Sequence, residues 1–181
     1  MNTINAAYNE RLITVYQAYN PAIADAALAA NAFVPPFSRT RMTWIKPSFL
    51  WMMHRSEWAT SPGQERVLAI RIRRDGFDWA VRNAVLSSHS GAHASQDEWR
   101  RQLKASPVRV QWDPDRDVRM QTQSYRAIQI GLKDEALRRY VDEWIDSITD
   151  VTALAHEIRS LVRSGQVDRA EALRPKEKPY P

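Results

Sequence analysis

Five consecutive residues, Phe49-Leu50-Trp51-Met52-Met53, put an apolar side chain on every side of any helix they form. A surface helix has one apolar stripe and a charged back, so this element has to be buried or roofed over by the rest of the fold. It sits within Arg41–Trp58, eighteen residues that hold three tryptophans, three methionines, three basic side chains and one histidine. Polar groups inside such an element, namely Arg41, Lys46, Ser48, His54 and Arg55, require partners in the protein or in a ligand. The stretch is therefore the first candidate for function, with a plain core helix carrying snorkelled ends as the alternative.

The order of elements around it sets the fold class. Residues 11–19 are β-branched and aromatic and read as a strand. Asn20-Pro21 supplies a cap and a first-turn proline for an alanine-rich helix from Pro21 to Ala30, ending near Asn31. Pro47 suits the start of the Trp/Met helix, and Ser61-Pro62-Gly63 is a turn. Residues 66–73 form a strand with Leu68, Ile70 and Ile72 on one face and Val67, Ala69, Arg71 and Arg73 on the other. A short helix from Asp75-Gly76 through Val85, a polar loop from Ser87 to Ala94 and a helix capped by Ser95 follow. Strands are expected at 108–112 and 125–131, separated by a turn at Asp113–Asp117. Leu137, Tyr140, Val141, Trp144, Ile145 and Ile148 then fit one amphipathic helix; Val151, Leu154, Ala155, Ile158, Leu161 and Val162 fit a second, capped by Asp150 or Thr149. Without regular alternation of strand and helix, the pattern predicts an α+β fold: a small mixed or antiparallel sheet, flanking helices and two C-terminal amphipathic helices. Residues 1–173 form one domain, and the proline- and lysine-rich residues 174–181 read as a flexible tail.

A length of 181 residues suits one hydrophobic core. No run is long enough to span a membrane and no leader precedes the body, so a cytoplasmic location without a membrane partner is expected. The absence of cysteine excludes disulfides, thiolate nucleophiles and cysteine-based zinc sites. The net charge of +5 is unevenly spread: residues 39–126 are strongly basic, whereas both flanks are slightly acidic. Arginine far outnumbers lysine, and its planar fork suits phosphate, so the composition points to a nucleotide, a pyrophosphate, DNA or RNA as partner. Codon usage in a GC-rich genome gives the same bias without function.

Common catalytic motifs are missing. Only His89 and His93 lie close together, in a loop without a third ligand, so no metal site is expected. Asp113, Asp115 and Asp117 lack the glycine and glutamate of a calcium loop. There is no Gly-x-Ser-x-Gly elbow and no phosphate-binding glycine loop. The remaining candidates are Tyr16, Gln17, Tyr19, Arg41, Lys46, Tyr125, Arg126 and Gln129. Strand alternation puts Ile128, Ile130 and Leu132 on one face, leaving Gln129 with Tyr125 and Ala127 to point at whatever lies opposite. A glutamine there needs partners for its donors and its carbonyl.

Three motifs, Val15-Tyr-Gln-Ala-Tyr-Asn-Pro21, Arg41–Arg73 and Ser124-Tyr-Arg-Ala-Ile-Gln-Ile-Gly-Leu132, resemble the family termed domain of unknown function 4291, over about Ile13 to Val162. The chain is also similar, at the level of fold, to the DarT-like ADP-ribosyltransferases. These begin with a strand feeding a helix and continue through a Pro-Ser-led, Met-rich helix into an apolar strand, as Lys46-Pro-Ser-Phe-Leu-Trp-Met-Met-His54 and residues 65–72 do here. That resemblance implies NAD as a substrate, contacted by Arg41 or Arg39, with Arg41 and Lys46 on the pyrophosphate and Tyr19 or Trp51 stacked on a ring. Tyr16, Gln17, Ser48 and Tyr125 complete the implied NAD-binding set, and Gln129 and Arg41 are the implied catalytic pair. Gln129 stands where the family has its catalytic glutamate. A glutamine keeps a hydrogen bond to a ribose hydroxyl but brings neither charge nor base, unless Asp113 or Glu65 supplies a carboxylate. The implied activity is transfer of ADP-ribose to a nucleic acid or nucleotide. Its rivals are a non-enzymatic nucleic-acid or nucleotide-binding module stacking bases on Trp44, Trp51 and Trp58, and a partner-binding surface. Monomer and homodimer both remain open.

Overall fold

The computed structural model describes residues 1–89 and 95–181. His93, one half of the histidine pair, and the end of the Ser87–Ala94 loop lie outside the described residues. Strand β1 (Asn5–Ala6) precedes β2 (Leu12–Tyr19) and α1 (Pro21–Ala30). The α1 boundaries follow from local chemistry: the Asn20 side chain accepts from the Ile23 amide at 2.9 Å, proline takes the first turn, and Asn31 closes the helix in the left-handed region. Next come β3 (Thr43–Ile45) and α2 (Phe49–Ser56), which is capped by Ser48 accepting from the Trp51 amide at 3.1 Å, so that Pro47 stands just ahead of the cap. Then follow β4 (Arg66–Arg73), α3 (Arg74–Arg82), β5 (Val85–Leu86) and α4 (Gln96–Ala105). The chain continues through β6 (Val108–Arg116), β7 (Thr122–Leu132) and α5 (Asp134–Arg139). A π-helical turn over Tyr140–Trp144 delivers β8 (Ile145–Asp150), and α6 (Thr152–Arg163), α7 (Val167–Leu173) and β9 (Lys178–Pro179) close the fold.

The architecture is α+β, in one domain. An antiparallel sheet has the order β2-β4-β8, and a mixed sheet has the order β3-β7-β6-β5, with β5 parallel to β6. Their inner faces share one core, in which Ile13, Val15, Ile70 and Ile72 meet Phe77, Ile130, Leu132 and Tyr140. A second core encloses α2. Phe49, Leu50, Met52 and Met53 pack among Tyr16, Val67, Val118, Ala155, Ile158 and Ala170, drawn from the first sheet, the β6–β7 hairpin, α6 and α7. Cover from these elements is why a helix apolar all round is stable here.

Three expectations need correction. The stripe Leu137–Ile148 is not one helix, because after the π-helical turn Ile145–Asp150 becomes an edge strand paired with β4. The two C-terminal helices are instead α6 and α7. Asp113–Asp117 is not wholly a turn: β6 runs on to Arg116, with a register shift between Pro114 and Arg116 that accommodates the proline, and the chain reverses after Asp117. Residues 174–181 are not loose. Here β9 pairs with β1, the Tyr180 ring meets Tyr8 and Phe77 at 5.0 and 5.4 Å between centroids, and its hydroxyl donates to Asp78 at 2.6 Å. One aromatic anchor holds a segment whose prolines and charges alone suggest disorder.

Candidate functional site

Besides their shared core, the two large sheets are joined by a backbone bridge between Tyr16 and Lys46. The Tyr16 amide donates to the Lys46 carbonyl at 2.8 Å, and the Lys46 amide returns to Tyr16 at 3.3 Å. Beyond it, β2 and β3 run on in different sheets, and the gap between them is a cleft of about 720 Å³. Gln17, Tyr19, Arg41, Lys46 and Gln129 all line it, from three separate parts of the sequence. This volume lies within the range of small-ligand and cofactor pockets.

Its β2 wall is fixed by a relay of hydrogen bonds. The buried Tyr140 hydroxyl donates to Gln17 Oε1 at 2.5 Å, Gln17 Nε2 donates to the Tyr19 hydroxyl at 2.8 Å, and that hydroxyl lies 3.3 Å from Thr43 Oγ1. Gln17 is only 3% exposed, so its side chain is held from both ends. Burial pushes the Tyr19 phenol up to about 12, against the opposing pull of Thr43, Gln17 and Arg41. Since Gln17 donates to Tyr19, the Tyr19 proton is left for Thr43 or for a ligand.

The opposite wall is cationic. Lys46 is 7% exposed, and its Nζ donates to the Trp44 carbonyl at 3.0 Å and lies 5.9 Å from the Trp51 ring centre. Burial first, then the nearby Arg55, lowers the ammonium to about 7, with Asp113 acting the other way. Arg41 and Arg55 also line the cleft, and among the described residues neither they nor Lys46 form an ion pair. Arg39, the other arginine considered for NAD, is committed elsewhere: its two terminal nitrogens hold Asp142 at 2.7 and 3.1 Å.

The floor comes from the β6–β7 hairpin. Gln111 and Gln129 face each other across the ladder, and both donate to one carboxylate, Gln111 Nε2 to Asp113 Oδ1 and Gln129 Nε2 to Asp113 Oδ2, each at 3.1 Å. With its amide nitrogen turned to Asp113, Gln129 has its carbonyl oxygen left for other partners. Gly131, two residues on, leaves room for the wall: a Cβ there would stand 2.7 Å from Met42 Sδ and 3.0 Å from the Trp44 ring. Arg55, a polar group expected to need a partner, and Trp44, expected only as a stacking surface for bases, belong to the cleft, as do Gln111 and Thr43, for which the sequence carries no such expectation. Gln111 falls within the expected strand 108–112, but only the non-local pairing of β6 with β7 sets it opposite Gln129.

A family model described as a domain of unknown function, DUF4291, matches residues 3–180 of the 181-residue chain. The chain belongs to the DUF4291 family. No curated protein sequence matches it.

The remaining candidates lie away from the cleft of this DUF4291 domain. Tyr16 is a core residue, edge-on to Phe49 at 5.4 Å, with its phenol pushed well up by burial. Trp51 is 7% exposed and backs Lys46 without lining the cleft. Glu65, the other proposed carboxylate, accepts from the Gly63 amide at 3.0 Å and is also outside the lining. Ser48 and Tyr125 border a separate pocket of about 200 Å³ at the N-terminus of α2, with Asp115 and Glu177. There Ser48 Oγ donates to Asp115 at 2.9 Å, and the Phe49 amide donates to Glu177 Oε2 at 2.9 Å.

The Glu177 residue is partly exposed, but its carboxyl group is densely surrounded. Burial, and then Asp115, lifts it from 4.5 to about 8, against the Phe49 amide and Arg174. Between these values the folded protein holds a proton that the unfolded chain releases. The contribution to stability is therefore complete below 4.5 and is lost as pH rises through about 8. Glu177→Gln keeps an acceptor for Phe49 without the charge. Thermal melts should show the variant close to wild type at about pH 5 and more stable than it at about pH 9. Equal melting temperatures at the higher pH would rule this assignment out.

Proposed function

We propose that this cleft binds NAD and that the protein transfers its ADP-ribosyl unit to a nucleic acid or nucleotide acceptor. The observation that carries the reading is the conjunction, in one cleft of cofactor size, of three basic side chains without an ion pair among the described residues, Arg41, Lys46 and Arg55, with Gln129, whose amide is held by Asp113 behind it. The cations suit a pyrophosphate, and Tyr19 and Trp44 offer aromatic surface to a ring. The Gln129 oxygen accepts from a ribose hydroxyl. Cleavage breaks the bond between the ribose anomeric carbon and nicotinamide. Its electron pair leaves with the nicotinamide nitrogen, neutralising the pyridinium, and the sugar acquires oxocarbenium character. A nucleophile on the acceptor then bonds to that carbon and gives up its proton to solvent water.

Asp113 restores part of what a glutamine lacks. Its negative charge lies behind Gln129 and polarises the amide, which places negative potential beside the developing cation through an intermediary. Asp113 itself does not line the cleft, so in this scheme it positions and polarises Gln129 without touching the sugar.

Incubation with labelled NAD and mixed DNA, RNA and protein acceptors tests the reading. Released nicotinamide and a labelled polynucleotide are expected. No binding of NAD at about millimolar concentration, a threshold of only about 4 kcal/mol, would sink it. Binding of NAD or oligonucleotide without any release would favour the non-enzymatic module.

Protonation of Lys46 gives a second check. With a folded-state value of about 7 against the ordinary 10.5, Lys46 is cationic below about 7 and neutral above it. Binding to a pyrophosphate favours the cation, so NAD affinity should fall as pH rises from about 6 to 9, with proton uptake on binding. Lys46→Met is expected to weaken binding by about ten- to a hundredfold at the acid end and to flatten the profile, as read by titration calorimetry. A wild-type profile already flat would count against Lys46 as a phosphate ligand.

A further inference from the structure

We infer that a second groove, on the other flank of the α2 C-terminus, is a binding site for a single strand of nucleic acid. Arg55 lines the cleft and the adjacent His54 lines this groove, so one helix end borders both. The groove encloses about 430 Å³ between the end of α2, the β6–β7 hairpin and α6.

Its rims are cationic. Arg159 and Arg163, a helical turn apart on α6, face Arg119 on the hairpin, and among the described residues none of the three forms an ion pair. The one acidic residue of the lining, Glu57, accepts from Ser61 Oγ at 3.0 Å. His54 reports the local field: burial, then Arg116 and Arg55, hold its imidazole below the ordinary value. The floor is apolar, made by Met53, Trp58, Val118, Met120 and Val162.

Both loops that shape the groove are rigidly specified. Asp117 Oδ1 accepts from the amides of Arg119 and Gln121 at 2.9 Å each, and Met120 sits at a φ of 64°. After α2, three successive non-glycine residues, Glu57, Trp58 and Ala59, take φ values of 51°, 58° and 62°. Side chains with a Cβ avoid this region, and a run of three persists only where the surroundings over-determine it. Ser56 does so, with Oγ accepting from the Ala59 amide at 3.1 Å and donating to the Met52 carbonyl at 2.9 Å. The result sets Glu57 and Trp58 into the groove wall.

Cations on both rims and an apolar floor match phosphates flanking an unstacked base. A duplex keeps its bases paired and cannot send one to the floor, and an acidic peptide would leave the floor uncovered. The role of such a strand as acceptor rests on the transfer proposed above; its binding does not.

The test is anisotropy of a fluorescent, mixed-sequence DNA single strand of about ten nucleotides, without NAD, between about 50 and 200 mM salt. Saturable binding with a log–log salt slope near about −2 is expected for three neutralised phosphates. The double variant Arg159→Gln/Arg163→Gln, at one half-buried and one exposed position of α6 outside the cleft lining, should keep its melting temperature and its NAD affinity. It should bind the strand at least about tenfold more weakly, with a slope shallower by about 1.4 for two lost phosphate contacts. A duplex of the same sequence should bind more weakly, and polyglutamate should not compete. Absence of strand binding, an unaffected double variant, or polyglutamate competing as well as the oligonucleotide would each overturn the inference. The last outcome would mark an acidic-peptide site. Because the assay contains no NAD, its failure leaves the reading of the cleft standing.

Discussion

Gln129→Ala is expected to lower nicotinamide release by about two to three orders of magnitude while changing NAD affinity by less than about tenfold. The asymmetry follows from where the side chain acts. Its oxygen meets a ribose hydroxyl whose hydrogen bond strengthens as the sugar becomes cationic, so its removal costs the transition state more than the bound substrate. Asp113→Asn tests the carboxylate behind it. Asparagine keeps the shape but offers one oxygen where Gln111 and Gln129 now find two, and it removes the charge that polarises Gln129. A loss of about tenfold in rate, with NAD affinity nearly unchanged, is the expected result for a group acting through another. Single-turnover release of labelled nicotinamide reads both variants. Full activity in Gln129→Ala would remove Gln129 from the mechanism. A large loss confined to Asp113→Asn would mean that the carboxylate acts directly.

The largest effect on stability is expected from Gly76→Ala. A Cβ at this position would stand 2.5 Å from two atoms of the Trp144 indole. The ring has nowhere to go, because it is 6% exposed and lies edge-on to Trp79 and Tyr140 at 5.9 and 6.4 Å. Overpacking of this kind costs about 3 kcal/mol. For a chain of this size that corresponds to a fall of about 6 to 12 °C in melting temperature. In a Trp144→Leu background the added cost should drop below about 1 kcal/mol, since the clash is removed with the ring. A melting temperature unchanged by Gly76→Ala alone would mean that α3 and the π-helical turn are not packed as described.

How far the fold was legible depended on whether local signals had a single reading. Asn20, Pro21 and Asn31 each have one preferred place in a helix, and α1 has the boundaries they imply. The alternation in residues 66–73 likewise fits a strand, and β4 occupies that span, with Leu68, Ile70 and Ile72 buried on one face and Arg71 and Arg73 exposed on the other. Tyr140, Val141, Trp144, Ile145 and Ile148 are different, because that spacing suits a helical stripe as well as a wound turn that runs into a strand. Only the pairing of Ile148 with Ile70 across the sheet decides between them, and that contact is not local. Asp-Pro-Asp is a common turn composition, yet a bulge absorbs Pro114 and carries Asp113 into the hairpin. In the site, Gln17, Tyr19, Arg41, Lys46 and Gln129 were found from chemistry and resemblance, and they share one cleft. Trp51, Tyr16, Ser48 and Tyr125 were proposed for the same reasons but face elsewhere. Proximity in sequence to Lys46 or Gln129 says nothing about which side of α2 or of the hairpin a side chain takes.

The docking of the last strand also bears on how the site comes into being. Phe49 finds its amide acceptor 128 positions later, at Glu177, and Tyr8 reaches across 171 positions to the Pro179 carbonyl. Contacts of such separation come at the end of folding, because the intervening loop must be closed before they return any free energy. As the polypeptide is synthesised, the helix beside the cleft and the residues of its cationic wall emerge first, with their covering elements still unmade. Until α6 and α7 arrive, an apolar helix lacks its cover, and until Glu177 follows them its first amide lacks its acceptor. The N-terminus of α2 is therefore tied to contacts far apart along the chain, and its final packing should emerge with global stability rather than before it.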